Sequence, residues 1–190
     1  MMPGGKSAME RNSCLGGKKI VREHGLIPFF KLMAEDGVNT SGLWFVCIGT
    51  DRSSGDSLGP LTGTLLMEAG YANVIGTLAE PCDSDRLPRL LQRIPAGAVV
   101  LGIDACVGRP EAVGYFRLAR EPIEPGRSMG RPLPPVGDWS IAAIVCENKG
   151  NPAFVLQRTP LNRVLTMARD IVKAVQNVFP LAVAEESMKR

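Results

Sequence analysis

Three aspartates, Asp51, Asp56 and Asp104, are the residues of this 190-residue chain whose type and spacing point most directly to chemistry. Asp51 and Asp56 stand in the glycine-rich stretch GTDRSSGDSLG (Gly49 to Gly59), and Asp104 closes the apolar run AVVLGID (Ala98 to Asp104). Two neighbouring carboxylates resist ionising together, so one keeps a proton while the other acts as a base toward water. That is hydrolytic chemistry without histidine, and the chain has one histidine, His24. A single imidazole excludes two-His zinc sites and HExxH helices. Gly49, Gly55 and Gly59 permit close backbone approach. With Ser57 and the amides opening the following helix, they form a candidate substrate-binding edge for an oxyanion or another anion. The spacing matches neither the P-loop nor the GxGxxG pattern, which argues against a nucleotide site. Each acid also has a structural alternative: Asp56 as a helix cap, Asp51 as a turn former, Asp104 as a partner for the neighbouring loop.

These acids need elements to bring them together. Leu43 to Ile48 (LWFVCI) is a short apolar run closed by Gly49, as expected of a strand buried on both faces. Leu61, Leu65, Leu66 and Ala69 predict a helix over Leu58 to Ala69, with Pro60 in its first turn. A second strand over Asn73 to Leu78, a helix over Asp83 to Ile94 and a third strand over Ala98 to Asp104 complete a parallel α/β core with right-handed crossovers. A 2-1-3 strand order puts strands one and three at the switch point, where ligands bind outside the carboxyl ends. All three acids are then expected in one crevice.

Only eight residues separate Asp104 from Val113, too few for a crossover helix of about ten or more residues, so Val113 to Leu118 is expected to run antiparallel. Ala119 to Asp138 forms a long loop with five prolines; its Arg127 and Arg131 are either substrate clamps or solvated charges. Trp139 to Cys146 reads as a buried strand and Phe154 to Leu156 as a short extended piece. Thr159 and Pro160 then open a C-terminal helix striped by Leu161, Val164, Leu165, Ala168, Ile171, Val172, Val175 and Phe179. A short helix over Gly25 to Glu35 precedes the first strand. The expected fold is a three-layer α/β/α sandwich with a mixed, mostly parallel sheet. Residues 1–24 form a flexible leader, and residues 25–190 a single domain.

The formal charge is +3, but Lys6, Arg11, Lys18, Lys19 and Arg22 outweigh Glu10 and Glu23 within residues 1–24, and the remainder is neutral. With aromatics at 5% and no basic surface on the folded part, nucleic-acid binding is not expected. No run reaches the roughly 18 apolar residues of a membrane span. Five cysteines without a CxxC pair, three of them (Cys47, Cys106, Cys146) within apolar runs, suit reduced thiols in the cytoplasm. Cys82 and Cys106 lie near strand ends but lack a histidine base from the folded part. The three acids alone would favour a hard ion such as Mg²⁺ over zinc or nickel, and no metal or cofactor is expected.

The segments CIGTDRSSGDSLGPLTG (Cys47 to Gly63), GTLAEP (Gly76 to Pro81), IDACVGR (Ile103 to Arg109), EPGRSMGRPLPPVGD (Glu124 to Asp138) and FVLQRT (Phe154 to Thr159) resemble the bacterial sporulation protein YyaC family over about residues 43–178. More distantly, the framework resembles the spore germination protease and the hydrogenase maturation proteases, which share a three-layer α/β/α fold. The resemblance to the germination protease implies catalytic roles for Asp56 and Asp104; Asp51 has no equally clear counterpart there and ranks third among the candidates. It further implies an endopeptidase of sporulating cells or the forespore, acting on a protein or peptide substrate such as small spore proteins. Two alternatives stay open: a catalytically silent peptide- or anion-binding regulator, and a metal-dependent maturation protease. The latter's nickel-holding histidine has no counterpart inside the matched region. An oligomer is compatible with either.

Overall fold

A computed structural model of the chain describes residues 18–126 and 133–181. Six strands form one sheet: β1 (Lys19–Val21), β2 (Leu43–Cys47), β3 (Val74–Ile75), β4 (Val99–Gly108), β5 (Phe116–Ala119) and β6 (Trp139–Glu147), ordered β1-β5-β6-β4-β2-β3. Neighbours among β3, β2, β4 and β6 pair in parallel, whereas β5 runs antiparallel to both β6 and β1. The 2-1-3 arrangement of the first three predicted strands and the antiparallel return after β4 are both present. The sheet is mixed and mostly parallel, as expected.

Strand alternation sorts residues onto two faces. Phe45, Leu101, Ile103, Phe116, Leu118, Ile141 and Ala143 face the main core, covered by helices α1 (Leu26–Glu35), α2 (Leu58–Glu68) and, late in the chain, α5 (Leu161–Val178). Val164, Met167, Ala168, Ile171, Val172 and Val175 form the buried stripe of α5; Leu161, expected in it, is exposed. On the other face Val46, Ile48 and Ile75 meet the short helix α3 (Leu87–Leu90) through Leu87 and Leu90, with Val136 of the Pro-rich loop closing the cluster. No helix among the described residues covers that face over β4, β6 and β5. The Pro-rich loop lies there instead, anchored by paired Ile123 and Val136 backbone bonds of 2.9 Å. Gly102 admits it: a Cβ at that position would stand 2.9 Å from Val136 O.

Several expected boundaries move. Lys19–Val21 is an edge strand, so ordered pairing begins within the segment read as a leader. The helix expected over Asp83 to Ile94 contracts to α3 and the 3-10 turn Leu91–Arg93, because Asp83 Oδ1 takes the Asp85 and Arg86 amides in a local turn. The second strand shrinks to Val74–Ile75, since Gly76 (φ +89°) turns the chain away. β4 runs four residues past Asp104, paired to β6 through a register shift at Cys106/Val107. Phe154 to Leu156 belong to helix α4 (Pro152–Gln157), which Asn151 Oδ1 caps by accepting from Ala153 N. Thr159 does not cap α5; its hydroxyl donates to Val155 O at 3.1 Å, and Pro160 takes the cap position. Arg127 and Arg131 lie outside the described residues. No helix of the described residues is long and apolar enough to cross a membrane.

Candidate functional site: an aspartate pair above the sheet

β2 stops where β4 continues. Cys47 pairs with Ile103, Ile48 N donates to Ile103 O at 2.7 Å, and Gly49 then swings the chain away at φ +144°. Asp104 is the next residue of β4, in register with Ala142 of β6. Its neighbour Ile103 is in the main core, so the Asp104 carboxyl stands on the face without helices. The loop from Gly49 folds back tightly. A Cβ on Gly49 would stand 2.0 Å from Asp56 O, and Thr50 N donates to that carbonyl at 3.2 Å. This return brings Asp56 into the same cavity as Asp104.

Helix α4 and the segment after it hold the loop from below. Gly55 N donates to Leu156 O at 2.9 Å, and Ser54 Oγ reaches Thr159 O at 2.7 Å. Ser57 is buried and donates to Ser54 O at 2.6 Å, while Gly59 packs against Ile48 O, leaving no room for a Cβ. Of the four predicted binding-edge residues, Gly49 lines the cavity; Gly55, Ser57 and Gly59 shape the loop. Of the amides opening α2, Ser57 N donates to Ser53 O and Leu58 N to Gly55 O, and Pro60 has none. Asp51 is exposed and lines, with Ala79, an adjoining outer groove that shares Arg52 and Asp83 with the cavity. The structure thus unites Asp56 with Asp104 and leaves Asp51 outside.

The cavity encloses about 630 Å³, within the roughly 300–1,000 Å³ of small-ligand sites. Asp104, Cys106, Arg117, Ser140 and Ala142 contribute from the strands, Glu121 to Gly126 and Leu133 from the Pro-rich loop, and Ile48 to Thr50 with Asp56 from the loop after β2. Burial raises the Asp104 carboxyl to about 8; the Ala105 amide, donating to Oδ1 at 2.8 Å, pulls it down, and the charge on Asp56 pushes it further up. Burial also raises Asp56, partly offset by the Ser53 hydroxyl. That contact falls short of hydrogen-bond geometry, so Ser53 Oγ is buried without a full partner. Near neutral pH the pair therefore divides: Asp104 holds a proton and Asp56 ionises first.

The thiols take no such part. Burial raises Cys106 to about 12, against a downward pull from Arg117, and raises Cys82 to about 12, so neither supplies a thiolate near neutrality. His24 is exposed in the 3-10 turn Glu23–Gly25, outside the cavity. Among the described residues no three His, Cys, Asp or Glu side chains gather as a metal would require. This donor set does not fit a nickel or zinc centre.

Arg117 is the cavity residue that sequence reasoning passed over. The signal was present in VGYFRL: Phe116 and Leu118 are fully or nearly fully buried in the core, so alternation sends Arg117 to the other face.

Fold and site together define a class: an α/β protein with a mixed, mostly parallel sheet and a pair of aspartates in one cavity, Asp104 on β4 and Asp56 on the loop after the adjacent parallel strand β2. The chain belongs to the DUF1256 family of proteins of unknown function, which matches residues 24–174. It is 39% identical over 135 residues to the uncharacterised protein YyaC of Bacillus subtilis (strain 168), covering 68% of this chain and 66% of that protein's length. The resemblance read from the Cys47 to Gly63 segment and its companions is borne out. Among solved structures, the chain is similar to the NiFe hydrogenase maturation protease HycI from Thermococcus kodakarensis KOD1, with a TM-score of 0.44 at 18% identity over 71% of this chain and 92% of that one.

Proposed function

We propose that this protein is a peptidase whose Asp56 and Asp104 act together on one water and one peptide bond. The observation that carries the reading is the sharing of one cavity by two acids, one of them held near 8. Ionised Asp56 takes a proton from water as its oxygen bonds to the scissile carbonyl carbon. Protonated Asp104 gives its proton to the leaving nitrogen as the C–N bond breaks. The products are a carboxylic acid and an amine, and proton exchange with solvent resets the pair. Small spore proteins in the cytoplasm of a sporulating cell are the candidate substrates, by the family resemblance.

Asp56→Asn and Asp104→Asn decide the matter in a cleavage assay on small spore proteins. General acid–base roles predict losses of about 10²-fold or more in each. Unchanged turnover in either variant sinks the acid-pair mechanism. A second reading, a catalytically silent peptide or anion binder, is favoured by the engagement of Ser57 N and Leu58 N, two of the amides opening α2, inside their own loop, which reduces that source of oxyanion donors. Tight binding of a spore protein without any fragment formed would select it.

A further inference from the structure

Among the described residues three cations line the cavity, and two have acidic partners. Lys18 Nζ lies 3.8 Å from Glu121, and an Arg52 nitrogen 3.6 Å from Asp83. Arg117 is partly buried in the same cavity and makes no hydrogen bond or ion pair with any described residue. A guanidinium withdrawn from water without a partner is unfavourable unless something else supplies the anion.

Its position relative to the acids is set by the sheet. Arg117 on β5 and Asp104 on β4 are both in register with Ala142 of β6, which lies between them. All three line the cavity, and the Arg117 and Asp104 Cα atoms are two strand spacings apart, about 9.6 Å. Ala142 carries only a methyl group, so the floor between the two charged residues is open. Extended chain covers about 3.3–3.6 Å per residue. A gap of about 9.6 Å is therefore bridged by two to three residues of extended peptide.

We infer that Arg117 binds a carboxylate of the substrate and holds it about two to three residues from the bond presented to Asp56 and Asp104. The planar fork of a guanidinium matches a carboxylate in two parallel hydrogen bonds. The cavity also contains Asp56, Asp83, Glu121 and Glu124. With Asp83 and Glu121 paired to Arg52 and Lys18, the charge on Asp56 repels a phosphate dianion more strongly than a singly charged carboxylate. The carboxylate comes either from the chain terminus of a peptide or from an acidic side chain. This inference deepens the peptidase reading but does not depend on turnover, because the binding it describes is measurable without cleavage.

The test uses the full chain, Arg117→Gln and Arg117→Lys. Binding is followed by NMR titration with acetylated Ala-Ala-Ala, its C-terminal amide, an amidated tripeptide ending in Asp, and inorganic phosphate. Folding of each variant is checked by thermal unfolding. The native chain should bind at least one carboxylate probe about 10- to 100-fold more tightly than the neutral amide, as expected for charge-assisted hydrogen bonds. Arg117→Gln should abolish that preference without changing amide binding, and Arg117→Lys should restore part of it. Preference for the free terminus assigns the carboxylate to the chain end; preference for the Asp-bearing amide assigns it to a side chain. Equal binding of acid and amide, no binding of either carboxylate probe, phosphate binding tighter than carboxylate, or a preference that survives Arg117→Gln overturns the inference. Loss of cleavage in Asp56→Asn with carboxylate preference retained separates this result from that of the acid pair.

Discussion

Asp104→Asn should make the folded protein more stable, by an amount that grows with pH. The native carboxyl is held at about 8 and its ordinary value is 3.8, so between those values the folded chain keeps a proton that the unfolded chain releases. Stability must then fall as pH rises, by up to about 1.4 kcal/mol for each tenfold change in proton activity. From pH 4 to pH 7 the full effect is about 4 kcal/mol. Asp104 retains some exposure to the cavity, and solvent there moderates the loss, so about 2–4 kcal/mol is expected. Asparagine keeps the shape, and its carbonyl oxygen can still accept the Ala105 amide that Oδ1 takes now. Urea denaturation of both proteins at pH 5, 6, 7 and 8 measures the difference. The two should already differ by about 1 kcal/mol at pH 5, above the ordinary value of 3.8 at which the unfolded chain begins to release its proton, and separate further up to about pH 8. Asp56→Asn should flatten part of this slope in a chain that retains Asp104, because the Asp56 charge is one of the causes of the shift. A difference that is constant across the four pH values refutes the reasoning.

Three further outcomes follow from the same geometry. If the acid pair cleaves peptides, kcat/KM should be bell-shaped in pH, with an alkaline limb near 8 as Asp104 gives up its proton; a rate still rising at pH 9 assigns the acid role elsewhere. Gly55→Ala puts a Cβ 2.8 Å from the Leu156 backbone and side chain, which should cost about 1–3 kcal/mol and loosen the Asp56 loop; unchanged stability in urea would show that α4 gives way freely. Cys106 faces the cavity with its thiol pushed up to about 12, so iodoacetamide at pH 8 should label it at least about 10²-fold more slowly than a free cysteine; labelling at the ordinary rate contradicts its environment.

What was legible before the structure, and what was not, divides along a physical line. LWFVCI and AVVLGID could be read because a strand buried on both faces has to be apolar throughout, and the acid that ends such a run has to stand at the sheet's edge of chemistry. Asp56 joined Asp104 because the short loop after β2 had to return over the strand end, and Gly49 allowed it. Asp51 carries the same charge in the same loop, but five residues earlier it lies on the outer turn, and no local pattern separates the two sides of an irregular loop. The reading of Phe154 to Leu156 as extended rested on three apolar residues, too few to carry a period; the Asn151 cap and Pro152 at the first helical position decided otherwise. The helix expected over Asp83 to Ile94 had the correct apolar face in Leu87 and Leu90, but Asp83 uses its side chain to hold a turn, so the helix starts later.

The location of the cavity follows from a missing helix. After β4 the chain has too few residues to cross over, so it turns through Pro110–Ala112 and returns as β5, antiparallel and at the far side of β6. A crossover helix would have covered the sheet face over β4, β6 and β5; without one, only the Pro-rich loop lies there, pinned across Gly102 by Ile123 and Val136. Among the described residues the loop and the strands leave a cavity of about 630 Å³ on this face. The residues along this face reflect that condition: Asp104, Arg117, Ala119, Ser140 and Ala142 are small or charged, whereas the alternating positions Ile103, Phe116, Leu118, Trp139 and Ile141 are large and apolar against the helices. Large side chains on the loop side would fill the cavity, and charged ones on the helix side would have no water or partner. The same topological shortage that leaves this sheet face without a helix among the described residues therefore provides an unfilled environment in which a protonated aspartate and an arginine line one cavity.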